Sequence, residues 1–310
     1  MASIDESAAR PAVPPGSVGL TATLSAYIAI TKPRIIELLL VTTVPTMILA
    51  ANGWPPLDIA VAVLAGGTLA AAGANTFNSV YDRDIDAIMV RTQHRPVASG
   101  RISPRAGIAW GVVLSVVSVL VLAAFANVLA AALAAAAIAF YVFGYTMWLK
   151  RRTPQNIVWG GAAGCMPVLI AWAAVTGTLT WAPVILFLII FFWTPPHYWP
   201  LSLRYRDDYA AAGVPMLPVV AQPRRVAREI VIYAWIMVLL SLALIPVAPM
   251  GWAYGIAAVV LGALFLFEAH ALQLRVRKDA ESYRPMRLFH WSITYLALLF
   301  LAVAIDPFVG

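Results

Sequence analysis

Charge is what this sequence has least of. Only 11% of its 310 residues are Asp, Glu, Lys or Arg, against 62% hydrophobic, whereas about a quarter of a soluble domain is charged. Fourteen acids and twenty-one bases cannot cover so large an apolar core, so lipid must act as the outer solvent. Cysteine is almost missing as well. Cys165 alone excludes an intramolecular disulfide and a Cys-based metal cage, and its setting, GGAAGCMP, suits a small packing residue. The first 25 residues lack an apolar run of signal-peptide length and the Arg-rich, acid-poor character of a mitochondrial presequence. Rich in Ala, Ser, Pro and Gly, residues 1–25 read as a disordered cytoplasmic tail of a bacterial protein, and residues 26–310 as one membrane domain.

What is present are long apolar runs. A helix needs about 20 apolar residues to cross the hydrocarbon. Residues 38–57 and 59–81 each fit one crossing. The runs 106–149, 153–203 and 230–267 each fit two, with breaks at 124–127, 176–178 and 246–251, and a last span lies between Arg287 and Asp306. The expected fold class is therefore all-α: a polytopic membrane protein of nine transmembrane helices. With that count, all twenty-one Lys and Arg residues fall in alternate loops, an arrangement that one missed crossing would destroy. The formal charge of +7 and pI of about 9.8 thus report topology in a lipid bilayer and no nucleic-acid partner. The positive-inside rule puts the N-terminus in the cytoplasm and the C-terminus outside, as for a protein of the bacterial inner (cytoplasmic) membrane.

One charged stretch, NSVYDRDIDAIMVRTQHRP (78–96), carries more than topology. Asn78, Asp82 and Asp86 are spaced four apart, and each such step on a helix drifts by only about 40°, so the three share a face. Asp84 points elsewhere and reads as a solvated partner for a base. Two carboxylates and an amide carbonyl are hard oxygen donors suited to Mg²⁺, which usually shares its shell with a substrate phosphate. Like charges on one face repel unless a cation sits among them, and acids at a membrane edge are functional candidates by default. The bland alternative is a solvated helix end. Arg91 and Arg95, again four apart, add planar forks that bind phosphate oxygens bidentately, and metal plus arginines make a diphosphate site. Catalytic candidates are therefore Asp82, Asp86, Asn78, Arg91 and Arg95, with Asn78, Asp82 and Asp86 as metal ligands.

A second acidic loop, PPHYWPLSLRYRDDYAAAGVPMLP, places Asp207 and Asp208 beside Arg204 and Arg206. Two such clusters around one cavity could hold a prenyl diphosphate with its isoprenoid tail among the helices. Ionisation would then give an allyl cation that needs an electron-rich acceptor and exclusion of water. Arg204, Asp207 and Asp208 are accordingly candidates for substrate binding. Lys32 and Lys150 could meet an anionic ligand, although topology explains them about as well. Asn156, two residues past Pro154, is either a cavity-facing amide or a polar residue starting a helix. His94 reads as a local polar residue, and His270 and His290 as side chains snorkelling to the interface.

These residues resemble the UbiA superfamily of intramembrane prenyltransferases, whose first signature, NxxxDxxxD, is here Asn78, Asp82 and Asp86. The fuller strings TKPRIIELLL (31–40), NTFNSVYDRDIDAIMVRTQHRP (75–96), YTMWLKRRTPQNIVWGGAAG (145–164), TPPHYWPLSLRYRDDYAAAGVPMLP (194–218) and YRPMRLFHWSITYLALLF (283–300) are similar to the branch that farnesylates protoheme IX. The resemblance implies nine helices around a central cavity, Mg²⁺ as cofactor, and farnesyl diphosphate and heme b as substrates. It implies transfer of farnesyl, with water, to a heme vinyl group, giving heme O and diphosphate. A downstream heme-modifying enzyme or terminal-oxidase assembly factors are the partners that follow from such a product. His197, in TPPHYW, would ligate heme iron, position the porphyrin or accept a proton; the bland reading is a packed histidine. The second signature departs from the superfamily's DxxxD, since Arg204 stands four before Asp208, which puts a second metal in doubt. Two rivals stand beside this reading. One is a prenyltransferase acting on a quinone or chlorophyll precursor, against which RTQHRP, KRRTPQN and TPPHYW argue. The other is a cation channel or transporter, against which the scarcity of acids within the spans argues.

Overall fold

A computed structural model describes residues 19–279 and 282–309. Helix α1 (Leu20–Ile30) is followed by α2 (Pro33–Ala51), α3 (Leu57–Tyr81), the short α4 (Arg83–Ile88), α5 (Pro104–Phe125) and α6 (Val128–Ala139). The last continues as a π-helical stretch, Phe140–Trp148, and a 3-10 turn, Leu149–Arg151. Then come α7 (Asn156–Thr176), α8 (Trp181–Arg204), the short α9 (Arg206–Ala211) and α10 (Leu217–Val220), α11 (Pro223–Val247), α12 (Trp252–Arg277) and α13 (Pro285–Val309). Among the described residues, nine of these helices are long and apolar enough to cross a membrane, and the chain is a multi-pass membrane protein.

Two boundaries differ from the sequence expectation. Most of the tail assigned to residues 1–25 lies outside the described residues, but Leu20–Ile30 is helical. Ala26 and Ile30 are buried against Val80, Val97 and Ile102, and the carbonyls of Ile30 and Thr31 accept from Ser79 Oγ (3.1 Å) and Asn75 Nδ2 (2.9 Å). An 11-residue neutral helix is too short to span and has no charge to mark it. Its outward residues Leu20, Leu24 and Ile28 form the apolar face expected of a helix lying in the bilayer interface. The first span begins at Pro33 rather than residue 38. Glu37 does not interrupt it, because a charged side chain near a helix end can face water while its stem covers apolar surface.

Consecutive spans pack side by side and α13 returns to α2, so the bundle closes on itself. One core joins α8 and α11 to α13 around Trp199, Tyr254, Phe265, Tyr295 and Phe300. A second joins α2, α3 and α5 to α7 around Met47, Leu122, Ala130 and Ala171. Away from the charged loops, polar side chains tie neighbouring helices together, Asn127 and Asp306 among them. Asn127 caps α6 by accepting from Ala130 N (2.9 Å) and donates to the Ala173 carbonyl of α7 (2.7 Å). Asp306 of α13 accepts from Gly251 N (2.7 Å) and Tyr254 N (3.1 Å) at the start of α12. These bonds satisfy helix-end groups that lipid cannot.

The α3–α5 crossing has no room for side chains at its closest points. A Cβ on Gly73 would lie 2.4 Å from Ser115 Oγ and 3.1 Å from the Gly111 carbonyl, and one on Gly66 would lie 2.6 Å from Leu122. Small residues that let backbones approach are the usual device for packing helices in lipid. Gly73→Val should therefore cost about 1–3 kcal/mol by overpacking, read as a lower thermal midpoint in detergent. Gly67→Ala, where a Cβ meets nothing within 4 Å, should leave that midpoint unchanged.

Candidate active site at the charged end of the bundle

The helix that carries Asn78 ends at Tyr81, and α4 restarts at Arg83. Helical spacing survives the break, because Asp82 N donates to the Asn78 carbonyl (2.9 Å) and Asp86 N to the Asp82 carbonyl (2.8 Å). Asn78, Asp82 and Asp86 are consequently all buried, with 3%, 0% and 2% of their surface exposed. The Asp84 side chain is 61% exposed and pairs with Arg151 through both oxygens, each at 2.7 Å. That hydrogen bond holds the Asp84 carboxyl down at about 2.

Most of the buried oxygens on this face accept from a cation or an amide, Asp82 Oδ1 being the exception, with Arg151 Nη2 at 3.6 Å. Lys150 Nζ and Asn78 Nδ2 (2.8 Å) both donate to Asp82 Oδ2. Lys32 Nζ donates to Asn78 Oδ1, and Arg95 Nη1 straddles the Asp86 carboxylate at 2.8 and 2.9 Å. Lys32 is held there by a left-handed backbone turn between α1 and α2 (φ 56°). Burial, then the positive charges of Arg95 and Lys150, push its amine down to about 7. Arg91 donates to Tyr209 Oη (2.5 Å) and lies over the rings of Tyr205 and Tyr209. Burial raises the Tyr209 hydroxyl well above its ordinary value, and the Arg91 charge pulls the other way.

These groups line a chamber of about 1290 Å³ of empty space, which takes in Lys32, Asn78, Asp86, Arg91, Arg95 and Lys150. Asp82 sits just behind Lys150. A second, apolar slot of about 830 Å³ runs between α2, α3, α6 and α7, past Gly67, Ala70, Ala74 and Met166. The two share Ile35, Leu39, Tyr141 and Gly164, so the cationic chamber and the slot adjoin along that common wall. His197 lies on the chamber wall across from these residues. Its ring is stacked between Trp193 (centroids 4.2 Å apart) and Phe289 (4.7 Å).

The donor set fits a divalent ion. Asp82 Oδ1 is buried with no hydrogen-bond partner, and Asp86 and the Asn78 carbonyl supply further hard oxygens. Among the described residues no three acids or histidines converge as a complete cage. That accords with Mg²⁺, which takes one or two carboxylates and fills its shell with water and substrate phosphate. With Lys32, Arg91, Arg95 and Lys150 in the same chamber, cationic side chains outnumber the two carboxylates, and the deficit is of anion.

Not all expected residues belong here. Arg204 and Asp207 are exposed, Asp208 is half-buried, and none of them lines the chamber. On α9, which begins at Arg206, each residue turns by about 100°, and the position facing inward is Tyr209, with the acids rotated away. Asn156 is fully buried but does not line the chamber either; it donates to the Thr153 carbonyl (2.7 Å) and more weakly to that of Lys150 (3.5 Å). It thereby shapes the turn that presents Lys150. His94, His270 and His290 are exposed, as the bland reading has it. Sequence reasoning missed Tyr141, Tyr145 and Thr146, whose hydroxyl accepts from Asn78 Nδ2 (3.0 Å). They lie in the π-helical stretch, which has no sequence signature. The Tyr145 ring packs on Gly160, where a Cβ would lie 2.1 Å from it.

The chain is similar to known proteins. A model of the UbiA prenyltransferase family matches residues 39–293. A protoheme IX farnesyltransferase from Clavibacter michiganensis subsp. michiganensis is 58% identical over 292 residues, 94% of this chain and 95% of its own. One from Streptomyces avermitilis is 56% identical over 290 residues, 93% of this chain and 95% of its own. Among solved structures, a digeranylgeranylglyceryl phosphate synthase superposes with a TM-score of 0.75 at 18% identity, covering 92% of this chain and 98% of that one. A UbiA homologue from Archaeoglobus fulgidus bound to DMAPP and Mg²⁺ superposes with a TM-score of 0.62 at 18% identity, covering 90% and 99%.

The excess of cations gives the chamber the charge that a polyanion site requires. Inorganic diphosphate with Mg²⁺ should raise the thermal midpoint of the detergent-solubilised protein, by an amount equivalent to about 2.7 kcal/mol at a hundred times the dissociation constant. Lys32→Ala and Arg95→Ala should each lose most of that gain. No shift in the unsubstituted protein would remove the anion-site assignment.

Proposed function

The chain belongs to the UbiA prenyltransferase family, and from that premise we propose that it moves the farnesyl group of farnesyl diphosphate onto a vinyl group of protoheme IX. Water adds in the same overall reaction, giving heme O and diphosphate. The observation that carries this reading is the junction of the two cavities. A chamber lined by Lys32, Arg91, Arg95 and Lys150 adjoins an apolar slot at Tyr141 and Gly164, the juxtaposition required by a ligand with a diphosphate head and an isoprenoid tail. The choice of heme as acceptor is supported by relatives at 54–58% identity that carry that activity in their names, and by the aromatic wall around His197.

Asp82, Asp86 and Asn78 would hold Mg²⁺, which when bound neutralises charge growing on the leaving diphosphate. Arg91, Arg95, Lys32 and Lys150 bind the same oxygens, and they gain most as the C1–O bond breaks, because transition-state charge rather than ground-state charge is what they face. The freed allyl cation sits at the junction, where Tyr141 lines both cavities and an aromatic face can offset positive charge. The vinyl π electrons then form the new C–C bond. Water completes the product by adding to the resulting cation with loss of a proton. Keeping water from C1 until then is the task of the slot, whose other lining is almost wholly apolar.

The bases in alternate loops support placement in a bacterial inner membrane with the N-terminus cytoplasmic, the C-terminus outside and the chamber facing the cytoplasm. The product keeps its iron and its tail, so it would pass to a heme-modifying enzyme or a terminal-oxidase assembly factor within the same bilayer. The rival acceptors, quinone or chlorophyll precursors, give no reason for the His197 wall, and a cation channel gives none for a slot lined almost wholly by apolar residues.

Purified protein given farnesyl diphosphate, Mg²⁺ and protoheme should yield heme O by mass. Conversion of 4-hydroxybenzoate in place of protoheme would sink the heme assignment. Asp82→Asn and Asp86→Asn should each lower turnover by at least about a hundredfold, with a melting curve to show that the variants still fold. Gly67→Leu puts bulk into open space in the slot. It should reduce kcat/KM for farnesyl diphosphate more than for the shorter geranyl diphosphate.

A further inference from the structure

His197 and Ser292 face one another across the α8–α13 contact, with His197 Nδ1 2.7 Å from Ser292 Oγ. Either atom could in principle supply the proton. A second distance decides it. Ser292 Oγ lies 2.6 Å from the Phe289 carbonyl oxygen, and a carbonyl carries no hydrogen, so two oxygens that close must share the hydroxyl's only proton. Ser292 Oγ therefore has none left for the imidazole and must accept from it. The proton of the neutral ring is thereby fixed on Nδ1, and Nε2 keeps its lone pair.

The same serine steadies the ring in a second way. Its backbone carbonyl accepts from Trp193 Nε1 (2.9 Å), and Trp193 is the plane against which His197 stacks, 13° from parallel, with Phe289 on the other face. Rotation about the ring axis is blocked by the hydrogen bond, and tilt is blocked by the two aromatic neighbours. Among the described residues Ser292 is the one hydrogen-bond partner of His197, and the histidine lines the chamber. An oriented imidazole with one nitrogen tied back to a neutral acceptor, on a residue that lines a cavity, is the arrangement of a metal-binding histidine with its outer-shell partner.

We propose that Ser292 is a positioning residue that holds His197 in its Nδ1–H form, so that Nε2 is presented to the iron of the incoming heme substrate as an axial ligand. The inference rests on protoheme being the acceptor. It adds a reason for the site to prefer a metalloporphyrin over a metal-free aromatic acceptor of similar size. Ligation through one axial position would also fix the porphyrin plane relative to the wall, leaving rotation about the iron–nitrogen bond to set which vinyl group reaches the allyl cation.

The test is a titration of the full-length protein in detergent with ferric protoheme, followed by absorption and electron paramagnetic resonance, with tryptophan quenching as a separate measure of total heme bound. The unsubstituted protein should show a nitrogen-ligated heme. His197→Ala should lose that signature while still quenching, and added imidazole should restore it. Ser292→Ala should weaken formation of the ligated species by roughly 10–100-fold, the range for outer-shell partners. Ser292→Thr, which keeps a hydroxyl, should recover it, whereas a merely structural role would be read in the melting curve and not in the spectrum. If Ser292→Ala fails to fold, Ser292→Cys, whose sulfur is a weak acceptor, takes its place in the comparison. A His197→Ala spectrum identical to that of the unsubstituted protein overturns the inference, as does a Ser292→Ala titration that matches it. In either case heme O formation would leave the acceptor assignment standing. Neither heme binding nor heme O from the unsubstituted protein would instead bring down the acceptor assignment, and the inference with it.

Discussion

Two carboxylates with almost no exposure have to be compensated, and the charged end of the bundle is arranged around that requirement. Taking Asp82 and Asp86 out of water costs several kcal/mol each even after relaxation, which Lys150 and Arg95 offset by pairing with them directly. The compensation overshoots. Lys32 and Arg91 line the same chamber without a carboxylate of their own: one rests on an amide oxygen, the other on tyrosine rings and a hydroxyl. A surplus of buried cation is itself unfavourable, and the low value of the Lys32 amine is its local expression. An arriving polyanion would relieve that strain, so the feature that costs folding stability is the one that would give the chamber a preference for diphosphate.

The bilayer sets where this could be built. Within lipid the helix backbone satisfies itself, and apolar side chains gain little by meeting one another rather than the tails of lipids. Charge can therefore collect only where the chain leaves the membrane, which is why, among the described residues, the arginines and lysines stand at one end together with Asp82 and Asp86, while Asp58 and Asp306 mark the other. The tail of a prenyl diphosphate has the opposite need. A slot lined by Gly67, Ala70, Ala74 and Met166, running from that end into the span of α3, gives the ligand an environment graded as the ligand itself is graded.

What the sequence could say follows from the same division. The nine spans were legible because charge marks their ends, and Asn78, Asp82 and Asp86 were legible because a spacing of four is preserved across the break at Asp82. Arg91 and Arg95 came with them by proximity. Spacing failed in the second loop, since Asp207 and Asp208 lie on a helix of one and a half turns whose rotation is set by the burial of Tyr209, and pattern reading had no purchase on it. It failed for α1, where the apolar face is shared between protein and interface, and it failed at Tyr141 and Tyr145, because a π-helical register shifts every side chain relative to the α-helix assumed. Asn156 could be read as a cavity-facing amide or as a polar helix start, and its side chain donates to the Thr153 carbonyl in the turn at Lys150. Ser292 carried no signal, as a serine in an apolar span is indistinguishable from one bonded only to its own helix.

The prolines of α8 show why the chamber needs its neighbours. Pro195, Pro196 and Pro200 are buried in this helix, and each removes an N–H, so the carbonyls of Phe191, Phe192 and Pro196 lose their usual partners four residues on. The half of α8 that carries Trp193 and His197 is thus the half least able to hold its own shape. Its two key side chains are instead tied to Ser292 of α13, and Thr194 bonds back to the Ile190 carbonyl (2.9 Å). A helix loosened by proline and fastened from outside takes its geometry from the partner rather than from its own ladder. In a solvent that does not press helices together, such cross-helix bonds decide where a ring nitrogen points, and a small change on α13 can move the acceptor wall without touching it.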